Sequence, residues 1–439
     1  MSTKNLLDST NGRFLTFGIL YISEGIPVGF TSTAMVAFMR QQGIPLDQIG
    51  TFVAALYLPW AFKWAWAPLI DLIKLPRLGG RKAWIVFCTT MMIVTLMVVA
   101  KVDFVANFEL LLAMIVLNNF FCATQDVAID SLAVHALKED ERGRGNGFMF
   151  GGQYLGIGLG GGAAIWVFGQ YGFDVTLAYI GAMMALNLMF VVFFVRDPYA
   201  NPAAPRESDV LRKLATNLMS FVKVTFDSFW RSGRGPMVGV AFSLLPCGAM
   251  ALAYATLNTI QVDYGLDESQ IAAINIYNTV TAGLGCLLGG WLGDRYGLKK
   301  TLAAAYALTA VPTTALAMQI YTHGLQAVPI ELFYGAIIVH GALFGMSFGV
   351  RNAIFMGMTN PAVAATQFTA FMGMSNLAIS MGNYWQGIVA ERFDYAAVLF
   401  LDSLIVLIPL CLVPFLQSRE ETEEPMPVPV GAEPAVRVD

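Results

Sequence analysis

Runs of about twenty apolar residues, separated by short polar segments, recur along the whole of this 439-residue chain. A hydrocarbon layer about 30 Å thick needs roughly twenty apolar residues of helix to cross it. Charged residues make up only 13% of the sequence, whereas soluble domains carry roughly a quarter. The pattern therefore predicts an all-α membrane protein with twelve spans and leaves no room for a soluble domain.

The predicted spans form two sets of six. The first set covers 14–39, 47–72, 83–101, 108–134, 146–170 and 174–195, and the second covers 236–262, 269–293, 299–321, 329–357, 364–390 and 395–417. We therefore predict two six-helix bundles with pseudo-two-fold symmetry. They are an N-terminal bundle over 1–195, a linker over 196–235 and a C-terminal bundle over 236–418, followed by a disordered tail over 419–439.

Basic residues are concentrated on one side of the predicted membrane. If the N-terminus is cytosolic, the opposite side holds only Arg40, Lys101 and Arg392. Positive charge marks the cytosolic side of membrane proteins, so we expect both termini, the linker and the tail to be cytosolic. Within the linker, Val210 to Phe229 has apolar residues at helical spacing. This spacing fits a helix on the membrane surface, and a disordered loop remains an equal alternative.

Charge inside a predicted span is costly and its presence indicates function, and we single out five such ionisable residues. They are Glu24, Lys63, Asp126, Asp130 and Arg351. With polar or aromatic neighbours they form the predicted substrate and proton pathway, and the neighbours are Asn118, Asn119, Gln125, Tyr57 and Trp60. Asp130 and Arg351 lie in corresponding spans of the two halves and are expected to flank one cavity.

The sequence suggests specific roles for the intramembrane charges and leaves alternatives open for two of them. Lys63 with Asp126 or Asp130 is either an ion pair that holds the first half together or part of a binding site. Glu24 is favoured for proton coupling, because a buried carboxyl group can exchange a proton. Arg351 either binds an anionic group of a substrate or neutralises a neighbour.

The loop between the eighth and ninth spans contains Gly290-Trp-Leu-Gly-Asp-Arg-Tyr-Gly-Leu-Lys-Lys. It resembles the loop motif of the major facilitator superfamily, in which an Asp-Arg pair latches helix ends on the cytosolic side. A stretched version follows the second span. The resemblance implies a gating latch of Asp71, Arg81, Lys82, Asp294, Arg295 and Lys299. The alternative reading is a positively charged membrane anchor.

Glycines recur at four-residue spacing in two spans, which allows close helix approach in lipid. They are Gly152, Gly156 and Gly160 in the fifth span and Gly285, Gly289 and Gly293 in the eighth. The family resemblance implies that the fifth and eighth helices slide on each other across the boundary between the halves. Close packing within each half is the alternative.

Several stretches resemble one branch of this superfamily, which holds AmpG-like muropeptide permeases, RhtX/FptX-type siderophore permeases and acetyl-coenzyme A transporters. They are Tyr21-Ile-Ser-Glu-Gly-Ile-Pro, Phe62-Lys-Trp-Ala-Trp-Ala-Pro-Leu-Ile-Asp, Gln125-Asp-Val-Ala-Ile-Asp, Glu141-Arg-Gly and Ala365-Thr-Gln-Phe. The resemblance implies proton-coupled import of a bulky polar compound such as an anhydro-muropeptide. The chain has twelve predicted spans rather than fourteen, and its sequence over 130–134 and 145–147 is nearer to the siderophore permeases.

Other functional classes are less well supported. Three scattered histidines form no reactive cluster, so no enzyme, metal site or cofactor is predicted. The absence of a Gly-Lys dipeptide argues against an ATP-driven pump. A channel or a non-transporting receptor remains open. The predicted partners are a small-molecule substrate, protons and membrane lipid, with no nucleic acid, for a monomer in the bacterial inner membrane.

Overall fold

A computed structural model describes residues 5–41, 52, 55–56, 58–99, 107–198, 200–201, 210–245 and 251–418. This part of the chain is almost entirely helical and contains no strand. Tyr57 and the predicted tail over 419–439 lie outside the described residues. The predicted all-α fold class is confirmed.

The helices of the first half follow the predicted spans closely. They are Thr10–Gly29 with a π turn at Phe30–Ala34 and Met35–Gln41, then Leu58–Leu72, Arg81–Val99, Phe108–Ala136, Arg142–Gly158 with a π turn at Leu159–Ala163 and Ala164–Tyr171, and Phe173–Phe194. A helix over Val210–Trp230, hereafter the linker helix, follows in the segment between the halves. Of the two predictions for Val210 to Phe229, a helix or a disordered loop, the structure has the helix.

The helices of the second half are Arg234–Leu244 and Ala255–Tyr264, then Glu268–Tyr296, Leu298–His323, Ile330–Met358, Ala364–Arg392 and Tyr395–Ile405. The seventh span is therefore divided, although one continuous span was predicted. Pro246 follows Leu245, and a residue before proline is forced out of the helical region. Leu245 accordingly has extended backbone angles, φ −77° and ψ 152°.

Eight helices in the described part are long and apolar enough to cross a membrane. The second and seventh spans fall short because their described helices are short, and the fifth and eleventh because they are rich in glycine and polar residues. The second, fifth and eleventh helices lie at the boundary between the halves, where the fifth contacts the eighth and the second contacts the eleventh. A helix that faces protein can be less apolar than one that faces lipid.

The hydrophobic core divides along the length of the helices. At the end where the second span and the linker helix meet, hereafter the linker end, one cluster of buried side chains joins both halves, from Phe17 and Phe150 to Phe355 and Phe371. Toward the opposite end, each half has a separate cluster. The two halves are therefore packed together at the linker end and have independent cores at the opposite end.

Candidate functional site

Two buried carboxyl groups of the first half, those of Glu24 and Asp126, lie where the joint core gives way to the separate cores. Glu24 lies between Tyr21, which belongs to the joint core, and Ile26, which belongs to the first half alone. Asp126 lies in the same way between Cys122 and Val127. The first and fourth spans therefore bring these carboxyl groups to the depth at which the halves begin to part.

Lys63 forms the central ion pair of this cluster. Its ammonium group contacts the Asp126 carboxylate, and both side chains are at most 5% exposed. The ammonium group also lies 5.3 Å from the ring centroid of Trp60, in a cation–π contact. The second and fourth spans are thus joined by a desolvated pair, which would leave an isolated buried charge if one partner were removed.

Two further carboxyl groups surround this pair. Gln153 on the fifth span donates to Oε1 of Glu24 at 2.5 Å, and Asp126 is among the charged groups that act electrostatically on the Glu24 carboxyl. Tyr21 donates to Oδ1 of Asp130. Neither Oε2 of Glu24 nor Oδ2 of Asp130 receives a hydrogen bond from the described residues. The cluster therefore holds three carboxyl groups and one cation.

The three amide side chains that were predicted to lie beside the buried charges have different hydrogen-bond partners. Gln125 donates to Thr89 at 2.5 Å and Asn118 donates to Thr95 at 2.8 Å, so both join the fourth span to the third. Asn119 instead accepts a hydrogen bond from the indole of Trp60 at 3.4 Å. Among the predicted neighbours that the structure describes, Trp60 contacts Lys63 directly and Asn119 contacts Trp60, whereas the other two amides lie on the side of the third span.

Arg351 lies in the second half and does not join the cluster. Its guanidinium stacks 4.7 Å from the ring centroid of Phe348, and it is 3% exposed. Its Nε has no hydrogen-bond partner among the described residues, and neither amide atom of Asn352 has one. A desolvated cation beside an unsatisfied amide suits an anionic or carbonyl-bearing group.

An aromatic path connects Arg351 with the first-half cluster. Tyr21, which holds Asp130, packs edge-on against Phe150 with ring centroids 5.3 Å apart. Phe150 packs edge-on against Phe348 across the boundary at 4.8 Å, and Phe348 carries Arg351. Asp130 and Arg351 thus lie on either side of the boundary but are separated by packed rings in this conformation.

Two aspartates close the linker end in the same manner. Asp294, at the end of the eighth span, accepts from the backbone N–H groups of Gly143 and Arg144 at 2.8 and 3.0 Å and from Nε of Arg144 at 2.8 Å. Asp71, at the end of the second span, accepts from the backbone N–H groups of Ala365 and Thr366 at 3.0 and 2.8 Å. Each carboxylate thus caps the start of a helix in the other half, where unpaired N–H groups and the helix dipole favour an anion.

Arg81, Lys82 and Arg295 of the predicted latch contact residues of their own half. Arg81 donates to Ser131 at 2.7 Å and lies near Asp197, and Lys82 donates to the carbonyl of Val192 at 2.7 Å. Arg295 stacks on aromatic rings of its own helix end, Trp291 and Tyr296. Lys299 lines a cavity of about 460 Å³ beside Asp294. The partner of Asp294 across the boundary is therefore Arg144, not Arg295.

The glycines singled out in the fifth and eighth spans pack within their own halves. A β-carbon at Gly156 would lie 2.3 Å from the carbonyl of Ile22, and one at Gly285 would lie 2.0 Å from that of Ala342. The close contact between the fifth and eighth helices is made by a second stripe on the fifth span, in which a β-carbon at Gly143 would lie 2.2 Å from Oδ1 of Asp294. The other members of that stripe are Gly147 and Gly151.

Several residues of the site were not identified from the sequence. The sequence predicts no role for Gln153 or Arg144, and it indicates Tyr21 only through the family resemblance. A polar residue inside a glycine-rich span is a signal that could have identified Gln153. No group of three or more metal-ligating side chains occurs in the described ranges.

Comparisons with known proteins extend over almost the whole chain. The sequence profile of the Major Facilitator Superfamily matches residues 14–259 and 238–439. The anhydromuropeptide permease of Escherichia coli K12 is 24% identical over 431 residues, which cover 96% of this chain and 83% of that protein. The putative transporter AmpG 4 of Rickettsia conorii is 20% identical over 93% of this chain and 97% of its own length.

Solved structures with the same fold include the proton:xylose symporter XylE, with a TM-score of 0.69 at 14% identity. The match covers 93% of this chain and 97% of the symporter. A bacterial homologue of ferroportin in an outward-facing state has a TM-score of 0.64 at 12% identity, over 92% of this chain and 98% of that structure. These likenesses establish the twelve-helix fold of two six-helix halves.

Proposed function

Because the chain belongs to the Major Facilitator Superfamily, we propose that this transporter imports an anhydro-muropeptide or a related cell-wall fragment, coupled to protons. The relative named anhydromuropeptide permease supports this substrate class, since its similarity extends over 96% of the chain. The uneven distribution of basic residues supports a bacterial inner-membrane location with both termini in the cytosol.

The observation that carries proton coupling is the charge balance of the buried cluster. Glu24, Asp126 and Asp130 face a single cation, Lys63, within a desolvated region. If all three carboxyl groups were ionised, the site would hold two uncompensated negative charges, which a low-dielectric environment strongly disfavours. We therefore expect the cluster to hold at least one exchangeable proton, for which Glu24 and Asp130 are the candidates because each has a carboxyl oxygen that receives no hydrogen bond from the described residues.

Arg351 is proposed to receive an anionic group of the substrate. Muropeptides carry carboxylates, and a guanidinium binds a carboxylate through paired hydrogen bonds. In the present conformation Phe348 covers the guanidinium. Substrate binding would therefore require the aromatic path between Phe150 and Phe348 to open, which ties substrate entry to movement at the boundary between the halves.

Alternating access is proposed to use the two aspartate caps. Both caps are formed while the halves have separate cores at the opposite end, which suits a state open to the periplasm. Opening toward the cytosol would require both caps to break. The two caps correspond to each other in the two halves, as expected for rocking of one bundle against the other.

The test is uptake of labelled anhydro-muropeptide into proteoliposomes, with and without an imposed pH gradient. Accumulation that depends on the gradient supports the proposal, whereas a channel or receptor would not accumulate substrate. We expect Glu24→Gln and Asp126→Asn each to impair uptake and Glu331→Gln, an exposed carboxyl on the tenth span, to leave it unchanged. Normal uptake by both cluster variants would remove these residues from the mechanism.

A siderophore is the alternative substrate, favoured by the sequence over residues 130–134 and 145–147. Deletion of the gene separates the two substrates. The muropeptide proposal predicts loss of β-lactamase induction with normal growth on iron chelates. The siderophore alternative predicts the reverse.

A further inference from the structure

The linker helix has two apolar faces that point in opposite directions. Phe221 and Val224 are buried against Val363 and the neighbouring Leu72. Met219, Val222, Phe226 and Trp230 are instead 79%, 53%, 52% and 44% exposed. At 3.6 residues per turn these four side chains fall within an arc of about 80°. A helix on the surface of a water-soluble protein would present polar residues on that arc.

The inner face ties the linker helix to the closed linker end. Ser228 accepts a hydrogen bond from the Asn360 side chain at 2.9 Å, and its carbonyl accepts one from Gln367 at 2.9 Å. Both partners lie near the start of the eleventh span, the helix that Asp71 caps from the other half. The linker helix also packs on Leu72, next to Asp71. It therefore contacts both halves where they are latched together.

The outer face carries positive charge beside its apolar stripe. The segment from 210 to 234 has five basic residues and one acidic residue, Asp227, which pairs with Arg231 at 3.3 Å. Lys223, Arg231 and Arg234 are exposed, and the Arg231 guanidinium lies 5.9 Å from the ring centroid of Phe226. Apolar side chains flanked by cations and ending in a tryptophan are typical of the membrane–water interface.

The connectivity places this face at the bilayer surface. Trp230 precedes by four residues the helix that begins the seventh span at Arg234. Four residues of chain reach at most about 14 Å, so the end of the linker helix cannot leave the vicinity of the membrane. The occupant of the exposed stripe is therefore the bilayer of the leaflet at the linker end.

We propose that the linker helix docks on anionic phospholipid headgroups, with its apolar stripe inserted at the interface, and that this docking stabilises the conformation in which the linker end is closed. The argument requires only that the helices span a bilayer, and it is independent of substrate. Because the inner face holds both halves together, a helix fixed on the lipid surface resists their separation at this end. Each basic residue beside an anionic surface strengthens docking by roughly fivefold.

The test uses the full chain with its native cysteines replaced and Val222→Cys carrying an environment-sensitive fluorophore. The protein is placed in phosphatidylcholine vesicles with or without phosphatidylglycerol, and quenching by aqueous iodide is measured. We expect protection that requires phosphatidylglycerol. Replacing Lys223, Arg231 and Arg234 by Gln should abolish it, whereas Arg392→Gln, at an exposed position far from the linker, should preserve it. A label on Leu78→Cys, which is 71% exposed at the linker end, should remain accessible in both lipids.

A second measurement keeps the native cysteines in place. Brominated phosphatidylglycerol should quench the tryptophan fluorescence of the wild type more than that of Trp230→Phe, and brominated phosphatidylcholine should not distinguish them. Equal protection of the Val222 label in both lipids would overturn the selectivity for anionic headgroups. Free access of iodide in both lipids would overturn docking itself, whatever the result of the uptake assay.

Discussion

Replacement of Asp294 by Asn should shift the protein toward a conformation open at the linker end. The carboxylate accepts three hydrogen bonds across the boundary, two from backbone N–H groups and one from Arg144. An asparagine keeps one acceptor oxygen, carries no charge and leaves the start of the fifth span only partly capped. The side chain of Asp294 is 8% exposed, so water does not readily replace the lost contacts.

The magnitude follows from three contributions. Loss of the charge at the helix start costs about 1 kcal/mol, and loss of one backbone hydrogen bond costs about 1 kcal/mol. The bond to Arg144 contributes about 0.5 kcal/mol, because that side chain is 39% exposed and solvent screens the pair. The sum of about 2.5 kcal/mol corresponds to a shift of roughly 60-fold in the equilibrium between closed and open linker ends.

The assay is a spin-label distance measurement between Leu78→Cys and Lys300→Cys, two exposed positions in different halves at the linker end. We expect a longer distance population in the Asp294→Asn background. Asp267→Asn is the matched control, because Asp267 caps a helix within its own half at the opposite end and should leave the distance unchanged. An unaltered distance distribution in Asp294→Asn would refute the assignment of this residue as a latch.

Three further predictions rest on the same contacts. Gly143→Ala should prevent closure at the linker end and impair transport, since its β-carbon would lie 2.2 Å from the facing carboxylate, whereas Gly158→Ala, with nothing within 4 Å, should transport normally. Lys63→Met should lower the free energy of unfolding by about 3 kcal/mol, because it leaves Asp126 buried without its cation. Thermal unfolding in detergent measures this loss, and an unchanged unfolding temperature would show that the pair is solvated. Burial raises the pKa of Glu141, but hydrogen bonds from Arg13 and neighbouring groups outweigh it and hold the pKa below its ordinary value. The stability from this contact is complete above a pH of about 4.3 and is lost as pH falls through the folded pKa, so Glu141→Gln should have lower stability than the wild type at neutral pH and a smaller further loss in acid.

Hydropathy predicted most of the helical architecture, and the reasons for its errors are local. The helix over Phe108–Ala136 matches the predicted span over 108–134 within two residues at either end, because a continuous apolar run leaves no alternative in lipid. The seventh span was wrong as one helix because the backbone is already extended at Leu245, and a residue that precedes a proline in the sequence disfavours helical angles. The alternative of a disordered linker failed because its apolar residues have partners, Leu72 and Val363, that no local pattern reveals.

The sequence by itself predicted the long apolar segments, the all-helical fold and several of the buried charges, because those properties depend on transfer of each segment from water into hydrocarbon. It also identified Lys63, Asp126 and Glu24 as unusual residues. It did not determine that Gln153 and Tyr21 hold the carboxyl groups, or that Asp294 pairs with Arg144.

Only the tertiary structure decided these pairings, because they depend on how each helix is rotated about its axis and how deep it sits against its neighbours. The fifth span shows this directly. Its two glycine stripes differ by one residue in register, yet Gly152 packs against the first span and Gly143 meets the eighth across the boundary. Both stripes have the same spacing, so periodicity cannot distinguish them, and only the packed bundle shows that one packs within the first half and the other lies at the boundary between the halves.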